Sequence, residues 1–209
     1  MKNRRNKFFY LTIILFSISC LLIIKNINAL FFSKDNKNQI FTIGNVKQQI
    51  IQENFNSEDF KNIIPEENIV KDPKIKNTGG NDQYVFVDVL VPMKNVATFN
   101  ESKSKNNKQL IDLFTFTKNS NWNIIKDYTE NSFHHYVFVY GNANKPLVLK
   151  ANETTNTIFD TVKYAPVVQG EIKSDDDVSI ILKSYGIQAD EKIIENKNSL
   201  EVFNIAING

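Results

Sequence analysis

The sequence predicts an all-β protein, an antiparallel jelly roll or β-sandwich with one or two short helices, preceded by a hydrophobic signal helix. Three observations carry this. Short runs rich in Val, Ile, Phe and Tyr recur along the chain, separated by turn clusters. No regular alternation of strands with long helices interrupts them, which excludes a βαβ architecture. The 16 Phe and seven Tyr residues suit half-buried pleated surfaces.

The first 29 residues stand apart. KNRRNK is basic, and Phe8 to Ile24 is a 17-residue stretch without charge. KNINA then leads to Ala29, followed by LFFSKD. Basic, apolar and small-residue regions in that order make a secretory signal over 1–29, and a single domain over 30–209. Two fates fit: cleavage between Ala29 and Leu30, or retention as a signal anchor, since 17 residues is the lower limit for a membrane helix. Cys20 reads as a small hydrophobe inside the signal. Without it the chain has no cysteine, hence no disulfide, thiolate nucleophile or cysteine-ligated zinc.

The net charge of +2 comes from this leader. Lys2, Arg4, Arg5, Lys7 and Lys25 lie in it with no acid. Setting those five aside leaves 20 basic side chains against 23 acidic ones, from 25 and 23 overall. No basic stripe remains, which argues against a nucleic-acid partner. Contact with a membrane is expected only through the signal segment.

The strands follow in order. IFTIGNV (40–46) and VKQQIIQENF (46–55) come first, then SEDFKNII (57–64), whose Ser57, Phe60, Ile63 and Ile64 have helical spacing. NIVKDPKIKN (68–77) carries Pro73 and reads as an edge or broken strand. TGGND (78–82) reads as a turn, with glycines free to take positive φ and Asn81 and Asp82 bonding local backbone. YVFVDVLV (84–91) has four valines on one face and Tyr84, Phe86, Asp88 and Leu90 on the other, so it is a strand covered on both sides. NESKSKNNKQ (100–109) is a polar loop. LIDLFTFT (110–117), WNIIKDYT (122–129), HHYVFVYG (134–141), PLVLK, TIFDTVKYA and VSIILKSYGIQA complete the strands. NSLEVFNIAI (198–207) reads as a helix capped by Ser199, with Leu200, Phe203 and Ile207 on one side.

No catalytic constellation emerges. The two histidines, His134 and His135, are adjacent in a strand and point to opposite faces, a poor arrangement for one ion. HExxH zinc hydrolysis needs two histidines on one helical face. Asp175, Asp176 and Asp177 read as a solvated turn rather than a calcium loop, Glu66 and Glu67 as the exposed start of a turn, and Trp122 as a packing residue. No cofactor or metal is expected, and no enzyme.

KDPKIKNTGGNDQYVFVDVLVP (71–92) resembles the characteristic segment of the TasA/camelysin family, exported proteins processed by SipW-type signal peptidases. The likeness extends to ALFFSKDNKNQIFTIGNVK (29–47), LFTFTKNSNWN (113–123), HHYVFVYG, TIFDTVKYAP (157–166) and SYGIQAD (184–190), in the family's order. The resemblance implies a jelly roll secreted to the extracellular matrix or cell surface, where relatives form biofilm-matrix fibres. It implies donor-strand complementation, in which the segment freed by cleavage adds a strand to a neighbouring or related subunit. Carried onto this chain, the donor would be Leu30, Phe31, Phe32, Ile40, Phe41 and Ile43. Each buried Phe would contribute roughly 1.5–3 kcal/mol. The camelysin branch also implies an alternative, a cell-envelope metalloendopeptidase. A retained anchor implies a monomeric surface binding protein.

Overall fold

The computed structural model describes residues 46–54, 64–173 and 178–208, together with the backbone of 41–42. The expected signal segment, residues 57–63 of the expected helix and Asp175 to Asp177 lie outside the described residues, while Ile64 is described and exposed. Among those described, no helix is long and apolar enough to cross a membrane.

The chain is mostly β, as expected. The strands are β1 (Phe41–Thr42), β2 (Gln48–Ile51), β3 (Asn68–Val70), β4 (Lys74–Asn77), β5 (Gln83–Val96), β6 (Gln109–Asp112), β7 (Phe114–Phe116), β8 (Trp122–Glu130), β9 (Phe133–Tyr140), β10 (Val148–Leu149), β11 (Thr161–Tyr164) and β12 (Ile181–Gln188). The main sheet runs β1-β12-β5-β9-β8, with β10 and β6 pairing opposite ends of β5. A three-stranded sheet, β3-β11-β7, and a two-stranded sheet, β2-β4, stand apart from it. Every pairing is antiparallel except β1 with β12.

β5 organises the layers. Its valines 85, 87, 89 and 91 enter one core with Ile69, Ile75, Phe114, Phe159 and Val162 from the smaller sheets and their connections. Tyr84 and Phe86, on its other face, enter a second core with Val137, Val139 and Ile187, closed by Val202, Phe203 and Ala206 of a helix. The run covered on both faces is therefore sandwiched between small sheets and a helix. Pro92 sits just beyond Leu90, where the β12 ladder ends, so its missing N–H costs no bond to that strand.

Local chemistry sets the breaks. Pro73 divides NIVKDPKIKN into two strands of different sheets, since proline cannot donate to a continuing ladder. LIDLFTFT, expected as one strand, is two. Leu113 gives its N–H to Pro92 O, and the chain leaves the β5 edge for the β7 position. The TGGND turn is built differently from the expectation. Among the described residues, the positive-φ glycines are Gly141 and Gly170, not Gly79 or Gly80. Asn77 supplies the local cap, its Oδ1 accepting from Gly79 N at 2.9 Å. Asp82 accepts instead from Ala151 N, 69 residues away.

Two helices follow β12: α1 (Glu191–Ile194) and α2 (Ser199–Asn208). Asn198, not Ser199, caps α2. Its Oδ1 accepts from Glu201 N at 3.0 Å, while Glu201 Oε2 accepts from Asn198 N at 2.7 Å, a reciprocal capping box. The Ser199 hydroxyl donates instead to Asn142 O at 2.6 Å. The inward face is accordingly Ser199, Val202, Phe203 and Ala206, and Ile207 is 43 % exposed.

Candidate functional site

The expected interaction site is a sheet edge, and the main sheet has two. At one, β1 pairs in parallel with β12, Phe41 opposite Tyr185 and Thr42 opposite Gly186. β12 matches β5 without a break from Ile181↔Leu90 to Gln188↔Gln83. Among the described residues, its outer side is paired only at Tyr185 and Gly186. Phe41 is the one expected donor residue in the described part, and there it pairs within its own chain. Ala29, Leu30, Phe31, Phe32, Ile40 and Ile43 lie outside it.

β8 forms the other edge, and its ladder to β9 shifts register between Ile124 and Lys126. The strand closes on β9 through Asn131 and Ser132, with φ of 49° and 64°. Successive left-handed residues are the geometry of a tight hairpin turn. Trp122, at the other end of β8, is fully buried and gives its indole N–H to Asn156 O at 3.1 Å. Packing is thus its role here, as its sequence context implied.

The histidines lie between these edges, on β9, and face opposite sides. His134 has a carboxylate on each ring nitrogen: Asp112 Oδ2 is 2.7 Å from Nδ1 and Asp127 Oδ1 is 2.6 Å from Nε2. The Tyr136 hydroxyl donates to the same Asp112 oxygen at 2.8 Å. Burial opposes the charge on His134, but the two carboxylates outweigh it and hold the imidazole pKa above its ordinary value. Burial and then Asp112 push the Tyr136 phenol upward. The result is a histidine clamp joining β6, β8 and β9.

His135 is buried on the other face, its Nδ1 2.9 Å from Asp88 Oδ2. Tyr128 stacks on its ring at 4.5 Å, and Lys126 Nζ lies 4.4 Å above the Tyr128 ring. Burial, then the nearby Asp88, pushes the Tyr185 phenol up to about 12. Asp88 was visible in sequence as the one charge on an apolar strand face, a signal for a buried partner. Asp112 and Asp127 carried no such mark.

Chemically, the two imidazoles serve separate carboxylates. A metal centre would need several ligands aimed at one point, and the described residues contain no cluster of three or more His, Cys, Asp or Glu with that geometry. Glu66 lies in an exposed turn at φ 67°, and the Glu67 carboxylate accepts from Ile64 N at 2.9 Å. An open depression lined by Lys145, Glu191, Lys192, Glu195 and Lys197 includes neither histidine. No family model matches the chain, no curated protein matches it, and no solved structure matches it.

Proposed function

We propose that this is an exported structural subunit of extracellular or cell-surface fibres, a jelly-roll domain that assembles by adding an N-terminal strand to a neighbour's sheet. The observation that carries the reading is the outer side of β12. This regular eight-residue strand accepts a parallel strand from the N-terminal part of the chain. Main-chain hydrogen bonds at such a seat supply affinity, and alternate side chains set register. A head-to-tail contact of this kind propagates instead of closing, and so builds a filament.

Two sequence features support it. The basic and apolar leader ending at Ala29 fits export and processing by a SipW-type signal peptidase. The motifs shared with the TasA/camelysin family fit a matrix protein whose relatives polymerise. In this reading Leu30, Phe31, Phe32, Ile40, Phe41 and Ile43 form the donor, and cleavage before Leu30 is the switch.

The test compares the intact chain with the product cleaved after Ala29, by electron microscopy over a concentration series. Fibres are expected from the cleaved chain alone. N-terminal sequencing of the cellular protein should return Leu30 first. A native protein that keeps Met1 or Lys2 would identify a membrane-anchored surface protein instead. Chelator-sensitive peptide cleavage would favour the camelysin-type endopeptidase.

A further inference from the structure

Among the described residues, five buried polar atoms on three strands have no hydrogen-bond partner: Nε2 and Oε1 of Gln48, Nε2 and Oε1 of Gln83, and Oγ of Ser184. Gln83 and Ser184 are fully buried, and Gln48 is 2 % exposed. Gly186 marks where the two glutamines meet. A Cβ placed there would lie 2.8 Å from Gln83 Oε1 and 3.1 Å from Gln48 Oε1. Two oxygens that close to one point are within about 6 Å of each other, a gap that one water spans with two ordinary hydrogen bonds. Ser184, two residues from Gly186, shares its face of β12.

The described surroundings supply no answer to these groups. Val46 Cγ1 is 3.0 Å from the same point, and Val85 and Val87 pair with Gly186 and Ser184. Asn77, directly opposite Gln48 on β4, shows the contrast. It is just as buried, yet its Nδ2 donates to Asn81 O and Leu149 O, and its Oδ1 accepts from Gly79 N. The chain satisfies one buried amide from its own backbone and leaves its two neighbours to something else. A buried donor or acceptor left unpaired costs its full desolvation.

We propose that Gln48, Gln83 and Ser184 form a binding site for structural water. The occupant must both donate and accept, because each carboxamide offers both functions. It carries no charge, because no ionised side chain belongs to the cluster and a buried ion would stand uncompensated. Water meets both demands and typically makes about three bonds in such sites. The bound water joins β2 and β5 to β12 beside Gly186, the residue opposite Thr42, and so braces the β1 seat from within the sandwich.

The test uses the full chain in detergent micelles, with glutamine side chains labelled by nitrogen-15. Nuclear Overhauser cross-peaks between water and the carboxamide protons of Gln48 and Gln83 are expected, with the sign of a long-lived contact. Gly186→Ala should abolish them while amide shifts elsewhere stay put. Should that variant not fold, Gln48→Leu serves: the Gln83–water peak should fall at least twofold. Absence of water cross-peaks in the unaltered chain would overturn the proposal. So would a direct carboxamide–carboxamide contact between Gln48 and Gln83, or water peaks unchanged in both variants.

Discussion

The two edges of the main sheet are built on opposite rules. β12 runs eight residues in unbroken register with β5 and takes a partner on its outer side. β8 is a residue longer, but a register shift after Ile124 kinks it, and Lys126, Asp127 and Glu130 put charge along it. Bulges and charges are how proteins discourage edge-to-edge pairing. The difference teaches that an unpartnered strand is not automatically a docking site: one rim is protected and the other is left regular.

The largest expected effect reverses or upholds those roles. Phe31→Asp together with Phe32→Asp should abolish fibre formation by the cleaved chain and leave the monomer's melting temperature unchanged. Ile124→Lys, on β8, should leave fibres intact. Loss of fibres in the β8 variant alone would exchange the roles of the two rims.

Next in size is repair of the kink. Deleting Ile125 would bring Ile124 and Lys126 into continuous register with Phe138 and Val137. The loss of a partly buried side chain should lower stability by about 2 kcal/mol. The straightened rim should also aggregate with concentration, read by light scattering, even when Phe31 and Phe32 are replaced. A soluble deletion variant would show that charge alone protects β8.

The His134 clamp gives a smaller, pH-dependent effect. Its folded pKa is raised above the ordinary value near 6.5, so the charged form is favoured by folding. Its stabilisation is fully present below that unfolded value and is lost as pH rises through the folded pKa. Asp127→Asn should cost about 1 kcal/mol or less, because Asp127 is half exposed, and should flatten the pH dependence of the denaturation midpoint. An unchanged pH profile would remove the clamp from the account of the β8 rim. Smallest is Ser132→Gly. It relieves a left-handed serine at the hairpin tip and should stabilise by about 0.5–1 kcal/mol in urea titration.

Much of this fold was readable from side-chain alternation. The buried β5 run, the Pro73 break and the helix near the C-terminus follow from period and from proline's missing donor. The misreadings share a cause, which is competition from distant partners. Ser199 is a fair cap by type, but Asn142 takes its hydroxyl, and Asn198 caps the helix one residue earlier. Asp82 belongs to a turn by type, but Ala151 takes its carboxylate. LIDLFTFT has continuous strand propensity, yet Leu113 bonds to Pro92, and no local pattern records that. For the proposed site, the donor was legible only as what the family resemblance implies. The accepting rim was not, because which strand ends at an edge is a property of sheet order.

Trp122 has a practical consequence. It is the single tryptophan of the chain, sealed at the start of β8 against Tyr140. Its fluorescence should therefore be blue-shifted and shielded from iodide in the intact domain. Opening of that rim would register as a red shift and a rise in quenching. One wavelength thus distinguishes a subunit that polymerises with its β8 corner closed from one that must first come apart.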